Sequence, residues 1–117
     1  MADRFLEELR ERLRAFARER DWEKFHTPKN LASAVSVEAG ELLERFQWTE
    51  SGSSAELSAA KREQIADEIA DVLIYLVRLA DVVGVDLPQA TDSKLKKNAL
   101  KYPVALAKGK SDKYNEL

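Results

Sequence analysis

Apolar residues recur every three or four positions over most of this chain, which is the spacing of one face of an α-helix. The first run has four such residues, namely Phe5, Leu9, Leu13 and Phe16. Arginine and glutamate occupy most of the other positions, so the run predicts an amphipathic helix. We expect it to be capped by Asp3 and to end near Arg20.

A second helix is predicted by its start signal. Thr27 offers a hydroxyl that can cap a free backbone N–H, and Pro28 fits the first helical position. This helix is expected to reach about Trp48. Residues 49–56, which include three serines and a glycine, are then expected to form a polar linker.

The third helix is expected to be the longest. It should run from Ser58 to Val83, with Gly84 as its C-terminal cap. From Ile69 onward, apolar residues occupy nearly every side of this helix. A helix that is apolar all round is normally buried, so this one is predicted to be the central helix.

The C-terminal part of the chain begins with Asp-Leu-Pro at residues 86–88, which starts a fourth helix reaching about Lys101. Pro103 stops this helix, because the residue before a proline avoids helical angles. Residues 103–117 have little periodicity and are expected to form an extended tail. Since no strand pattern appears, residues 1–117 are predicted to form one all-α domain, a four-helix bundle.

Composition excludes several classes of function. The chain has 117 residues, 44% apolar and 34% charged, which is typical of one helix-rich globular domain. Its net charge of −2 gives no support for a nucleic acid polymer as partner, because phosphate binding needs a concentrated basic surface. There is no cysteine for a disulfide or thiolate site. The single histidine, His26, excludes the paired Glu-x-x-His elements of di-iron bundles.

No targeting or membrane segment is predicted. Residues 1–20 are charged throughout and contain no signal pattern. The most apolar stretch, residues 72–85, is too short to span a bilayer and is interrupted by Arg78 and Asp81. We therefore expect a cytoplasmic protein with no membrane partner.

Four carboxylates occur in two identically spaced pairs. Glu38 precedes Glu41 on the second helix, and Glu68 precedes Asp71 on the third. Residues three apart share a helix face, so each pair directs two carboxylates the same way. Four converging carboxylates would form an oxygen-rich site suited to Mg²⁺, which in turn binds phosphates. The pattern favours nucleotide chemistry.

The alternative is that these carboxylates are ordinary surface groups with basic residues three or four positions away. Glu41 has such a neighbour in Arg45, whereas the other three carboxylates have none. A buried carboxylate without a partner is costly, and a bound cation removes that cost. Buried salt bridges from elsewhere in the chain, for example from Arg78 or Lys94, would favour the alternative.

A series of motifs follows in a fixed order along the chain. They are Asp-Trp-Glu-Lys-Phe-His at 21–26, Glu-Ala-Gly-Glu at 38–41, Phe-Gln-Trp at 46–48, and residues 68–76, 85–88, 93–94, 98, 101–103 and 113–117. Together they resemble the all-α nucleoside triphosphate pyrophosphohydrolases, the MazG-like superfamily, and are most similar to its dCTP pyrophosphatase branch. The resemblance covers about residues 16–117.

The resemblance implies hydrolysis of dCTP, or of a related or modified pyrimidine triphosphate, to the monophosphate and pyrophosphate, a reaction that cleans the nucleotide pool. It implies Mg²⁺ as cofactor with four ligands: Glu38, Glu41, Glu68 and Asp71. Positions that surround the nucleotide in that branch correspond here to Trp22, His26, Trp48 and Tyr75, and those at the phosphate end to Lys94 and Asn98. It also implies a homotetramer of two dimers, with active sites made partly by neighbouring chains.

Glu41 and Glu38 are the candidate catalytic residues. A bound water, deprotonated with help from a nearby carboxylate, would attack the phosphorus, and Glu41 is the candidate base. A role confined to metal binding fits the sequence equally well. Lys94 could stabilise charge on the leaving pyrophosphate. The aromatic residues named above could stack on the base, and core packing is the alternative for each of them.

One position departs from the branch. Its members have a histidine on the first helix, nine residues before the loop tryptophan, where this chain has Leu13. A polar contact to the base or sugar is therefore expected to be missing, so strict preference for dCTP does not follow. Two competing interpretations are a non-catalytic helical module that senses nucleotide or metal, and a purely structural oligomerisation domain.

Overall fold

Helices provide all of the regular structure in residues 4–117, the part of the chain that this computed structural model describes. No strand occurs in this range, so the predicted all-α fold class is confirmed. The chain divides into two compact units, one ending at Val85 and the other formed by Asp86–Leu117. That both belong to one domain stays a prediction. Asp3, the predicted cap of the first helix, lies outside the described residues.

The first unit contains three long helices, α1 (Phe5–Glu19), α2 (Pro28–Glu44) and α3 (Ala59–Val83). Short 3₁₀ turns at Glu23–Phe25 and Ser54–Glu56 lie in the connections between them. α3 packs against both α2 and α1, and more extensively against α2. Five apolar side chains form the buried core: Ala17, Leu31, Ile65, Val77 and Ala80. The core therefore lies along α3.

The predicted boundaries of α3 and the predicted start of α2 are confirmed by their capping contacts. The hydroxyl oxygens of Thr27 and Ser58 accept hydrogen bonds from the backbone N–H groups three residues later, at 3.2 Å and 3.1 Å. Gly84 ends α3 with a φ of 77°. This left-handed conformation costs glycine little, because glycine has no β carbon to clash with the backbone.

The predicted end of α2 at Trp48 is wrong, because the helix ends at Glu44. Beyond that residue the backbone hydrogen bonds close over three residues instead of four, for example from the Phe46 N–H to the Leu43 carbonyl at 3.0 Å. Residues 45–48 therefore form successive tight turns, which helical periodicity does not detect.

α3 is central, as predicted, but it is not buried on all sides. Ile69 is 53% exposed, Leu76 is 42% exposed and Val83 is 48% exposed. The reason is geometric: two packed helices, α1 and α2, cover only part of its circumference. None of the helices in residues 4–117 has both the length and the apolar character that crossing a membrane requires.

The second unit contains α4 (Leu87–Lys101), the short helix α5 (Val104–Ala107) and a 3₁₀ turn at Tyr114–Glu116. The Asp86 carboxylate caps α4 by accepting the N–H of Gln89 at 3.0 Å, so the predicted start of the fourth helix is confirmed. Its predicted end near Lys101 is confirmed as well.

The C-terminal tail returns to the end of α4. The Tyr114 ring lies edge-on to the Tyr102 ring, with 6.2 Å between the ring centres. The Lys101 ammonium lies 4.9 Å from the centre of the Tyr114 ring. Aromatic and cation–π contacts therefore hold a tail that has no helical periodicity of its own.

The opposite requirements of two glycines give a stability test. Gly84→Ala should lower the free energy of unfolding by about 1 kcal/mol, because alanine resists the positive φ. Gly40→Ala should raise it by about 0.5–1 kcal/mol, because this glycine lies inside α2 and an added β carbon there meets no atom within 4 Å. Urea denaturation at one fixed protein concentration measures both. Equal signs for the two changes would contradict this account.

Candidate functional site

Three carboxylates from two helices converge in the first unit. Glu38 and Glu41 on α2 and Glu68 on α3 each place one oxygen within 4.8 Å of the others. The three-residue spacing puts the α2 pair on one face, and packing of α2 on α3 brings Glu68 to that face. Asp71 is not part of this set of three, although its charge acts on Glu38.

Glu38 is the carboxyl group most affected by this arrangement. Its pKa is raised from 4.5 to about 7, first because burial disfavours the charged form. A hydrogen bond with Glu41 adds to the effect, as do the negative charges of Glu41, Asp71 and Glu68. The carboxylate cluster therefore retains a proton near neutral pH when no cation compensates its charge.

Two oxygens of the cluster are buried without a hydrogen-bond partner among the described residues. They are Oε2 of Glu38 and Oε2 of Glu68. Buried polar atoms are normally satisfied, so each such atom requires an explanation. Carboxylate oxygens are the ligands that hard divalent cations prefer, and an ion here would satisfy both atoms. The donor set therefore fits a divalent cation.

The arginine predicted to pair with Glu41 pairs with a different carboxylate. Arg45 Nη2 donates to Glu68 Oε1 at 3.0 Å, and this contact links the end of α2 to α3. A search for basic residues three or four positions away finds only neighbours on the same helix, so it misses this partner on another helix. Arg78 forms no ion pair with the four carboxylates among residues 4–117, and Lys94 belongs to the second unit.

A cavity of about 520 Å³ lies between α1, α3 and the connection that precedes α2. Its apolar wall consists of Leu9, Leu13, Phe16 and Ile74. The remaining lining residues offer polar or charged atoms: Arg12, Trp22, His26, Asp71, Tyr75 and Arg78. Because Asp71 both lines the cavity and acts electrostatically on Glu38, the cavity adjoins the carboxylate cluster.

Two aromatic contacts order one side of the cavity. The Trp22 ring lies edge-on to Phe16, with 5.7 Å between ring centres, and edge-on to His26 at 6.4 Å. Leu13 contributes only apolar surface to the wall. The cavity therefore combines flat aromatic and aliphatic surfaces with a few polar atoms, as ligand pockets usually do.

A charged network missed by the sequence analysis lies beside His26. Arg78 Nε donates to His26 Nδ1 at 3.0 Å, and Arg78 Nη1 lies 3.3 Å from Asp81 Oδ2. Arg14 on α1 binds both oxygens of Asp81, with 2.7 Å between its Nε and Oδ2. In the sequence, Asp81 was interpreted only as an interruption of an apolar run, and Arg78 as an interruption and a possible partner of the four carboxylates, not of Asp81 or His26. The three-residue spacing of Arg78 and Asp81 within that run was the available signal.

The network shifts the pKa of two of its members. Burial lowers the pKa of His26, the positive charge of Arg78 lowers it further, and Glu23 opposes both. Hydrogen bonding to Arg14 is the main reason why the pKa of Asp81 is lowered. His26 is therefore neutral and Asp81 is ionised at neutral pH.

Three residues predicted to contact the nucleotide are not among those lining the cavity. Trp48 lies in the turns after α2 and is 90% exposed. Lys94 and Asn98 lie one turn apart on α4, in the second unit. Their predicted roles stay predictions, whereas Trp22, His26 and Tyr75 all line the cavity.

Comparison with protein families decides the classification. The model of the MazG-like family matches residues 33–117, which is more than half of the chain. This chain belongs to the MazG-like family. The predicted resemblance is therefore confirmed, and the matched range contains all four carboxylates.

Similar proteins of known name and structure agree with this classification. The dCTP pyrophosphatase 1 of Mus musculus is 49% identical over 115 residues, covering 96% of this chain and 67% of the mouse protein. The Homo sapiens protein of that name is 48% identical over 114 residues, with the same coverage of both chains. A crystal structure of a pyrophosphatase from Archaeoglobus fulgidus is similar with a TM-score of 0.79 and 45% identity, covering 88% of this chain and 96% of that one.

The raised pKa of Glu38 gives a pH-dependent stability test. A carboxyl group with a raised pKa stabilises the fold below pH 4.5, and this contribution is lost as the pH rises through about 7. Glu38→Gln should therefore raise the free energy of unfolding at pH 8 without divalent cations, by about 1 kcal/mol, since the side chain keeps some exposure. At pH 5 the gain should be much smaller.

The matched control is Glu44→Gln, which removes an exposed carboxylate from the end of the same helix. This variant should change stability by the same small amount at both pH values. An equal effect of Glu38→Gln at pH 5 and pH 8 would contradict the assignment of the burial and like-charge effects to Glu38.

Proposed function

We propose that this protein is a Mg²⁺-dependent pyrophosphohydrolase that converts dCTP, or a related or modified pyrimidine nucleoside triphosphate, to the monophosphate and pyrophosphate. The observation that supports this proposal most is the cluster of three carboxylates with two unpartnered oxygens beside a cavity lined by aromatic rings. Such an arrangement suits a triphosphate at one end and a base at the other.

The type of reaction is supported by the similar proteins. Relatives that are 48–49% identical to this chain over the matched residues are named dCTP pyrophosphatase 1, and the similar solved structure is of a pyrophosphatase. The chain is accordingly a nucleoside triphosphate pyrophosphohydrolase. The preferred base, the requirement for Mg²⁺ and the participation of individual residues are the proposed parts.

The proposed cation ligands are the four carboxylates identified from the sequence: Glu38, Glu41, Glu68 and Asp71. When bound, Mg²⁺ would neutralise the triphosphate charge, polarise the phosphorus under attack and favour deprotonation of the attacking water. Arg45 restrains Glu68 by occupying Oε1, which leaves Oε2 available as a ligand atom.

Glu41 is the proposed base, with Glu38 as its immediate partner. Without a cation, the raised pKa of Glu38 favours a proton on that carboxyl group. With a cation bound, this proton would be lost, so that Glu38 could act as a ligand while its neighbour Glu41 accepts a proton from a water molecule. A role for Glu41 confined to cation binding is the other proposal that the same geometry supports.

The cavity is the proposed site for the base. Trp22 and Tyr75 offer aromatic faces or edges, and base stacking on such residues is worth about 1–3 kcal/mol. Leu13 replaces a polar contact by an apolar one, which should relax selection among pyrimidine bases. Lys94 and Asn98 are the proposed contacts at the phosphate end.

Product analysis tests the reaction directly. With Mg²⁺ and dCTP, the protein should release dCMP and pyrophosphate in equal amounts, because attack falls between the α- and β-phosphates. Ion-exchange chromatography of the nucleotide, together with a pyrophosphate-specific assay, measures both. Release of orthophosphate and dCDP would reject the proposed bond. Binding without turnover would instead support the nucleotide-sensing module.

Substitutions at the carboxylates test the site. Glu38→Gln and Asp71→Asn should each lower kcat by at least about 100-fold, since each removes a negative ligand without changing size. The Glu44→Gln variant, which alters the exposed end of α2, should retain the activity of the unmodified protein. Because Glu38→Gln is expected to be at least as stable, its loss of turnover cannot be due to unfolding. Retained activity in both site variants would reject the proposed ligands.

Binding of Mg²⁺ can be tested independently of turnover, through its effect on stability. At a Mg²⁺ concentration 100 times its Kd, the free energy of unfolding should rise by about 2.7 kcal/mol, because only the folded cluster binds the ion. Glu68→Gln should abolish most of this gain, and removal of Mg²⁺ by a chelator should reverse it. Thermal denaturation with and without Mg²⁺ measures the effect. A purely structural domain predicts no stabilisation in either protein.

Self-association is the proposed state in solution. Trp48 is 90% exposed, Leu43 is 70% exposed and Val37 is 60% exposed, so α2 and the turns after it leave large apolar side chains uncovered. Uncovered apolar surface of this kind is typical of partner interfaces. Light scattering during gel filtration should give a multiple of the chain mass of 13.2 kDa, four being the proposed number.

A further inference from the structure

His26 accepts a hydrogen bond from a donor that cannot lose its proton. The Arg78 guanidinium stays protonated at any pH at which proteins fold, so its Nε always donates. Because Nε lies 3.0 Å from His26 Nδ1, that ring nitrogen must present its lone pair. The neutral imidazole then has its single proton on Nε2.

Arg78 is itself held in place. Its side chain is only 10% exposed, and Nη1 lies 3.3 Å from Oδ2 of Asp81, which is equally buried. Arg14 fixes the Asp81 carboxylate through two hydrogen bonds from the other helix. Charge-assisted and bidentate contacts of this kind are stronger and more directional than neutral ones. The position of the Arg78 donor is therefore determined by α1 and α3 together.

The His26 side chain forms part of the cavity wall. His26 and Arg78 both line it, and no hydrogen bond to Nε2 is formed by any residue from 4 to 117. Trp22 packs edge-on to the same ring, and Leu13 contributes apolar surface to the cavity. A ring of the cavity wall thus carries one N–H donor that has no partner in the described part of the chain.

We propose that Arg78 is a positioning residue that holds His26 as the neutral Nε2–H tautomer, so that the cavity selects bases presenting a hydrogen-bond acceptor to His26. A carbonyl oxygen or an unprotonated ring nitrogen fits this donor. An amino group at the same place meets a second donor and leaves both N–H groups unpaired, which weakens binding. The choice of a base as ligand rests on the proposed function, whereas the tautomer does not.

The tautomer is measured by NMR on ligand-free protein. His26 is the only histidine of the chain, so ¹⁵N-labelled protein without a histidine tag gives one imidazole in a long-range ¹H–¹⁵N correlation. At pH 7.5 the spectrum should show a protonated Nε2 and an unprotonated Nδ1. A protonated Nδ1, or a doubly protonated ring, would overturn the proposal without any substitution.

Substitution of Arg78 tests whether this residue fixes the tautomer of His26. Arg78→Met keeps an unbranched side chain that extends about as far as Nε but removes the donor, so the two nitrogen frequencies should move toward each other as the tautomers exchange. Arg12→Met is the matched control, because Arg12 lines the same cavity but forms no hydrogen bond with His26. This variant should leave the His26 spectrum unchanged. An unchanged spectrum in Arg78→Met would refute the positioning role.

If the Arg78→Met variant does not fold, the Asp81→Asn variant is measured instead. This variant removes the negative charge that holds Arg78 but keeps the donor, so the Nδ1 frequency should shift in the same direction by a smaller amount. An unchanged His26 spectrum in Asp81→Asn would then refute the positioning role.

Binding of a non-hydrolysable α,β-imido analogue of dCTP tests whether the Nε2–H of His26 donates to an acceptor of the base, on which the selection depends. In His26→Gln, the amide nitrogen can occupy the place of Nε2, so Kd should stay within about threefold. In His26→Asn, the shorter side chain cannot reach that place, so binding should weaken about tenfold. Equal losses in the two variants, or no binding of the analogue to either the unmodified protein or the variants, would overturn the selection. The NMR result would still decide the tautomer separately.

Discussion

Mutual repulsion among carboxylates on two packed helices is the constraint on which the rest of this site depends. Oxygens of Glu38, Glu41 and Glu68 lie within 4.8 Å of one another, and Arg45 is the basic residue paired with one of them. Bringing like charges this close in a half-buried place costs stability. The apolar packing of α2 on α3 supplies the energy that holds them together, and a proton on Glu38 reduces the repulsion.

Asp81, which lies on α3 about three turns beyond Asp71, has an environment opposite to that of Glu38. Asp81 is bonded by Arg14 and approached by Arg78, and its pKa is lowered, whereas that of Glu38 is raised. One carboxylate therefore links α1 to α3 and is satisfied within the protein. The cluster around Glu38 is left with unpartnered oxygens, and such residues are typical of sites kept for binding or catalysis rather than for stability.

Local rules predicted much of the fold because the interactions they describe are local. Thr27, Ser58 and Asp86 cap helices through bonds to residues three positions away, and Gly84 adopts the conformation that its missing β carbon allows. The end of α2 was misplaced because its last turns are tighter than a helix yet contain helix-forming residues. The periodicity of α3 predicted its central place but not how much of its surface stays open.

In the candidate site, too, the sequence predicted the local features and not the contacts between distant residues. The sequence by itself determined the two carboxylate pairs, their shared helix faces and the family, because spacing of three residues and ordered motifs are properties of the chain. Only the tertiary structure decided that Arg45 pairs with Glu68, that Asp71 stands apart from the three closest carboxylates, and that Arg78 binds His26. The Arg45–Glu68 and Arg78–His26 contacts join residues 23 and 52 positions apart. The place of Asp71 and the depth at which each carboxyl group is buried likewise depend on how the helices pack. Such distances and depths are set by how helices pack, and no local pattern of residues specifies them.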